Sequence, residues 1–262
     1  MKKIILGLSL LISVFSVLSA QKHDIRLNLQ PGLKVPVRYQ QTTDQEISFQ
    51  GQTMKNKIIQ KNEVVFSVVS KNQDNFIIEA VINLIETTAE TPQGNMKFSS
   101  ADEKETAENK PLKKMAKKVV RAEITPYFQL VGEVTPVTEG LTKEEAIAVY
   151  EAFSSIFKGL YPTTSVAQGE TWKADMTQGV KAESTLTSAS PQSFIIDSKI
   201  LLDMDMQGVK LSGKGSMNYE IHAPTGVPVY GLTTLPATGS SMANGVPVNI
   251  KLNMTSSFEF MQ

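Results

Sequence analysis

The stretch from Phe194 to Ile221, FIIDSKILLDMDMQGVKLSGKGSMNYEI, decides the fold. Every second residue is apolar or small: Phe194, Ile196, Ser198, Ile200, Leu202, Met204 and Met206, then Val209, Leu211, Gly213, Gly215, Met217, Tyr219 and Ile221. The residues between them are mostly polar, with Asp197, Lys199, Asp203 and Asp205 before the centre and Lys210, Lys214 and Glu220 after it. A period of two marks strands with one buried and one wet face. Gln207-Gly208 is a two-residue loop of the kind hairpins favour, and it sets the register. Met206 then pairs with Val209, Met204 with Leu211, Leu202 with Gly213 and Ile200 with Gly215. At about 3.3 Å per residue each strand spans roughly 40 Å. That is long for a flat sheet, so a curled half-barrel is expected.

The same alternation recurs on both sides. Ile25, Leu27 and Leu29 precede a turn at Pro31-Gly32; Val35, Val37 and Tyr39 resume the pattern, which runs through Gln41, Thr43 and Gln45 to Ile47 and Phe49. Val64, Phe66 and Val68, then Phe76, Ile78, Ala80 and Ile82, follow on either side of turn residues 71–75. Their opposite face is also partly apolar and needs a cover. Residues 91–118 are charged and irregular, ending in a short helix over about 111–118 with Leu112 and Met115 on one side. The lysines of that helix read as its solvated face. Val120 to Leu130 alternates again, with Pro126 demoting it to an edge or bulged strand. The main helix is expected over 142–158: Thr142 and Glu145 have capping-box spacing, and Ala146, Val149, Tyr150, Phe153, Ile156 and Phe157 recur at three and four. Gly159 stops it. A Gly/Ser/Pro-rich segment covers 235–245, and Val248 to Phe260 closes the chain as a last alternating strand. The fold class is therefore mainly β, a long curved antiparallel sheet under one covering helix. Faint similarity between about 24–137 and 169–260 suggests two similar halves of a single domain over 21–262.

Lys2 and Lys3, the apolar run from Ile4 to Leu18 and small Ser19-Ala20 read as a secretory signal over 1–20. No later stretch approaches the roughly 20 apolar residues of a membrane-spanning helix. The expected address is the periplasm or another extracytoplasmic space. The charge is balanced, 26 basic against 26 acidic residues, and nucleic acid is not expected as a partner. There are no cysteines, so neither disulfides nor thiolate chemistry arise. Aromatic content of 7% and a single Trp disfavour an outer-membrane barrel with aromatic girdles.

Gly169-Glu170-Thr171-Trp172, the long hairpin, Gly213-Lys214-Gly215 and Pro224-Thr225-Gly226 together resemble a family of uncharacterised secreted proteins and lipoproteins of Gram-negative bacteria, a domain of unknown function. The resemblance covers most of the chain after residue 20 and implies no activity and no catalytic residues. Some members carry a lipid-attachment Cys where this chain has Gln21, which implies a free protein. The expected architecture also resembles that of periplasmic lipoprotein carriers, a bent sheet closed by helices.

Catalysis is not expected. His23 and His222 are not at ligand spacing in the sequence, and no Gly-x-Ser-x-Gly is present. Asp203 and Asp205 fall on the wet face, Asp205 opposite Lys210, and read as a solvated cross-strand pair. No cofactor or metal site is expected. The inward face is more distinctive: Met204, Met217 and Met254 share it with Gly213, Gly215, Tyr219 and Phe258. Methionine suits apolar surfaces that accept varied partners. Inward glycines let a sheet bend or let a ligand reach the backbone. These seven residues form the expected ligand-binding set, for a lipid or acylated partner; the alternatives are a sealed Met-filled core and a structural or assembly protein of the envelope acting through protein contacts.

Overall fold

Long antiparallel strands joined by tight turns account for most of the chain. The computed structural model describes residues 21–261 except 178, 207 and 244. The expected signal segment 1–20 and the turn residue Gln207 lie outside the described residues. The strands of the first half are β1 (Lys22–His23), β2 (Lys34–Phe49), β3 (Gln52–Asn72), β4 (Asn75–Thr91), β5 (Gly94–Ser99), β6 (Val119–Ile124) and β7 (Leu130–Pro136). Those of the second half are β8 (Val166–Ala167), β9 (Thr171–Thr177), β10 (Val180–Ala189), β11 (Ser193–Met206), β12 (Val209–His222), β13 (Val227–Ala243) and β14 (Val246–Phe260). Helix α1 spans Lys110–Met115 and α2 spans Lys143–Ser154.

Among the described residues one twelve-stranded sheet runs in the order β7-β6-β4-β3-β2-β14-β13-β12-β11-β10-β9, with β5 beside the far end of β4. Every pairing is antiparallel, and the sheet is curved without closing into a barrel. The register of β11 on β12 is the expected one, from Met206 opposite Val209 to Phe194 opposite Ile221. Phe194, Ile196, Ile200 and Leu202 are buried, whereas Asp203 and Asp205 are exposed. β2 and β3 join through Gln50 and Gly51, both at positive φ, as a turn matching strand twist requires.

Helix α2 begins where the capping box puts it. Thr142 Oγ1 accepts from the Glu145 amide at 3.3 Å, and Glu145 Oε2 accepts from the Thr142 amide at 3.0 Å. The helix ends at Ser154, but its apolar stripe continues through buried Ile156, Phe157 and Leu160. Phe153 and Phe157 pack on Phe66 of β3 with ring centroids 6.2 and 5.4 Å apart, and Phe157 stacks on Phe128 at 4.1 Å. Each such buried aromatic contributes roughly 1.5–3 kcal/mol. This cluster closes one end of the curved sheet.

Three expectations are corrected. Val120 to Leu130 is not one strand: the chain leaves β6 after Ile124, turns through Thr125 and Pro126, and returns as edge strand β7. Proline has no N–H for the ladder, so the turn forms there. Residues 91–118 are less irregular than their charge suggests, because Gly94–Ser99 pairs on β4, and α1 starts at Lys110 and stops at Met115. The Gly/Ser/Pro-rich segment, to which composition alone assigns no element, continues β13 as far as Ala243. Finally, Ile25, Leu27 and Leu29 are buried outside any strand. Their segment crosses the closed end, with Leu27 N donating to Pro126 O at 2.7 Å and Asn28 N to Thr225 O at 2.8 Å.

Candidate functional site

Away from α2 the inward face of the sheet forms a trough whose two walls differ. The wall made by β11 to β14 is apolar, with Met204, Leu211, Met254 and Leu252 half-buried over Ile200, Leu202 and Leu235. The wall made by β2, β3 and β4 carries amides and hydroxyls on the same face, among them Gln41, Thr43, Gln45, Asn56, Gln60 and Thr87. The two walls meet where β2 pairs with β14, which sets Thr43 against Met254 and Gln45 against Leu252.

The seven expected site residues all lie on this inward face, in two environments. Met217, Tyr219 and Phe258 are buried toward the closed end; Met204 and Met254 line the trough and are half-buried. The Tyr219 and Phe258 rings lie 5.4 Å apart across Gly231 of β13, whose missing side chain leaves the space their ring edges occupy. Burial pushes the Tyr219 hydroxyl up to about 12. The two inward glycines stand against the backbone of the neighbouring strand. A Cβ on Gly213 would stand 2.3 Å from Pro236 O, and one on Gly215 2.2 Å from Thr234 O. The backbone of β13 fills the places of their side chains, so these glycines crease the sheet.

The polar wall is internally bonded. Tyr39 Oη donates to Gln41 Oε1 at 2.7 Å, Gln41 Nε2 donates to Thr43 Oγ1 at 3.4 Å, and Asn56 Nδ2 donates to Gln45 Oε1 at 3.3 Å. Asn62, one row nearer the closed end and opposite Tyr39, is only 5% exposed, and its Oδ1 has no hydrogen-bond partner. Burial raises the Tyr39 hydroxyl above its usual range, with the neighbouring Ser256 acting in the opposite sense. Other inward residues escaped the sequence-based set: Ile47, Phe49, Met54 and Ile250 are half-buried or exposed at the trough's far end, with Met54 at 45%, and Ile58, opposite Thr43 within the polar wall, is 40% exposed. For Ile47, Phe49 and Ile250 the signal was the apolar alternation at the end of β2 and in β14.

A second concavity lies at the seam where the sheet fails to close. Edge strands β7 and β9 and helix α2 border a cleft of about 710 Å³ lined by Leu130, Ile147, Tyr150, Phe157, Trp172 and Met176 among others. The Trp172 indole N–H is buried there without a partner. None of the seven expected residues lines this cleft. No helix among the described residues is long and apolar enough to cross a membrane.

No family model matches the chain, and no curated protein matches it, so the family resemblance stands on its turn motifs alone. Among solved structures, lipovitellin, described for its lipid–protein interactions, is similar over 90% of this chain at TM-score 0.56 and 10% identity. The match spans about a quarter (26%) of the lipovitellin chain and bears on the fold alone. An outer membrane channel from Pseudomonas putida F1 aligns over 90% of this chain and 98% of its own at 8% identity, but its TM-score of 0.28 is too low to carry an argument.

Proposed function

We propose that the protein is a non-enzymatic, extracytoplasmic binder of an apolar ligand, a lipid or an acylated partner, held in the trough of the curved sheet. One observation carries the reading: at the end of the trough away from α2, an inward face of Met, Leu and Ile stays half-exposed, where a sealed core would bury it. Apolar surface left on a concave face gains from a ligand by the amount of area removed from water. The similarity in fold to lipovitellin supports the same reading. Native mass spectrometry of the purified protein, with titration of an environment-sensitive lipid probe, tests it. Co-purifying lipid, or probe binding at micromolar concentration that Met254→Asp weakens, is expected. Absence of both overturns it.

A structural or assembly role is the second reading, and the outer face favours it. Leu201, Tyr230 and Leu232 are each at least 40% exposed on that face. Self-association or partner capture abolished by Leu232→Glu, together with failure of lipid binding, is the outcome that would select it.

A further inference from the structure

We infer that the trough takes an uncharged amphiphile, an acyl chain bearing hydroxyl or ester groups of the acylglycerol kind, and not an ionised fatty acid or phospholipid. The inference rests on the lipid-binding reading above and deepens it.

Its ground is the segregation of charge between the two faces of the same strands. On the outer face of β2, β3 and β14, Arg38 bridges Glu63 and Glu259, and Glu46 lies within ion-pair distance of Lys55 and Lys251. Turning each strand over changes this completely. No inward position of β2, of β3 from Gln52 to Phe66, of β11 up to Met204, or of β12 to β14 among the described residues is charged. An inward face that merely met water would carry charges as the outer face does. The polar wall instead uses neutral amides and hydroxyls, which hydrogen-bond a neutral polar group and offer no counter-charge to an ionised one. Burying a charge without a partner is far more costly than burying a hydroxyl that finds an acceptor. Asn62 supplies an independent sign: its buried carbonyl oxygen, on this same face, has no donor from the protein. The apolar wall opposite suits the chain of the same ligand.

The test compares three probes of equal chain length by displacement of a fluorescent lipid, each below its aggregation concentration: 1-monooleoylglycerol, methyl oleate and oleate at pH 9. Monooleoylglycerol should bind roughly tenfold or more tightly than oleate, and more tightly than methyl oleate, which lacks a donor. The double variant Gln41→Leu, Gln60→Leu should lose the preference for monooleoylglycerol over methyl oleate. If that variant does not fold, Gln45→Leu at its half-exposed site reports the same preference. Met254→Lys adds the missing counter-charge and should bring oleate binding up toward that of monooleoylglycerol. Equal affinities for the three probes, or a preference for oleate in the wild type, would overturn the inference while leaving lipid binding intact. Failure of the wild type to bind any of the three defeats the lipid-binding reading itself.

Discussion

Two ends of the same strands differ in everything but their alternation. Near α2, Val35, Val37, Val64 and Phe66 of β2 and β3 are each at most 3% exposed. Farther along those strands, Ile47, Phe49, Met54 and Ile58 occupy the same face with no helix over them. A period of two specifies which way a side chain points; only tertiary packing specifies whether anything meets it there. Burial therefore predicts that the closed end supplies stability and that the open end contributes little to it.

That difference gives graded expectations. Phe153→Ala, at 1% exposure among Phe66, Phe128 and Phe157, should cost about 3–5 kcal/mol in urea unfolding. A loss below about 1 kcal/mol would mean the closed end is not where stability resides.

Alkaline pH probes the buried tyrosines next. Burial raises the hydroxyls of Tyr150 and Tyr219 from 10 to about 12. Each holds its proton more tightly folded than unfolded, so its contribution is complete below pH 10 and is lost as pH rises from 10 through 12. Stability should be level from pH 7 to 9 and then fall by about 2–3 kcal/mol per tyrosine. Tyr219→Phe should flatten the decline; an unchanged slope would show that Tyr219 titrates freely.

Gly215→Ala sits at the boundary between the two ends and should cost about 1–3 kcal/mol, because its Cβ meets the fixed carbonyl of Thr234. A neutral result would mean that β13 shifts to admit the methyl, and the crease would not be a fixed feature. The smallest effect belongs to the open end: Met54→Ala should change stability by less than about 0.5 kcal/mol. A larger loss would show a covered surface and remove the distinction between the ends.

The features that proved legible in the sequence are local ones. The pairing of Met206 with Val209 follows from one short loop and one pattern, and the cap at Thr142 from a spacing of three residues. What proved illegible depends on neighbours distant in the chain. Gly213 and Gly215 look alike whatever approaches them, and only the fold shows the backbone of β13 there. The small residues of 235–245 carry no strand signal of their own, and only their pairing, Ala237 opposite Leu252 and Gly239 opposite Ile250, makes them strand. The inward run of Gln41, Thr43 and Gln45 looks like a lapse in hydrophobic pattern, yet its pairing with Ser256, Met254 and Leu252 makes it one wall of the trough. The seam cleft is set by where the two sheet edges stop, which no local signal reveals.

The pairing of β2 with β14 also orders how the molecule is assembled. Arg38 donates to Glu259 across a separation of 221 residues, so neighbours at the centre of the sheet are among the most distant in the chain. Hairpins such as β2–β3 and β11–β12 close over a few residues and form early, whereas this central junction carries the largest loop-closure entropy. The expected order is therefore that the two halves form as separate hairpin stacks before they join. Until they do, β2 and β14 are both open edges, each a template for strands of another molecule. Refolding should accordingly be slow and concentration-sensitive, with the middle of the finished sheet as its last part to form.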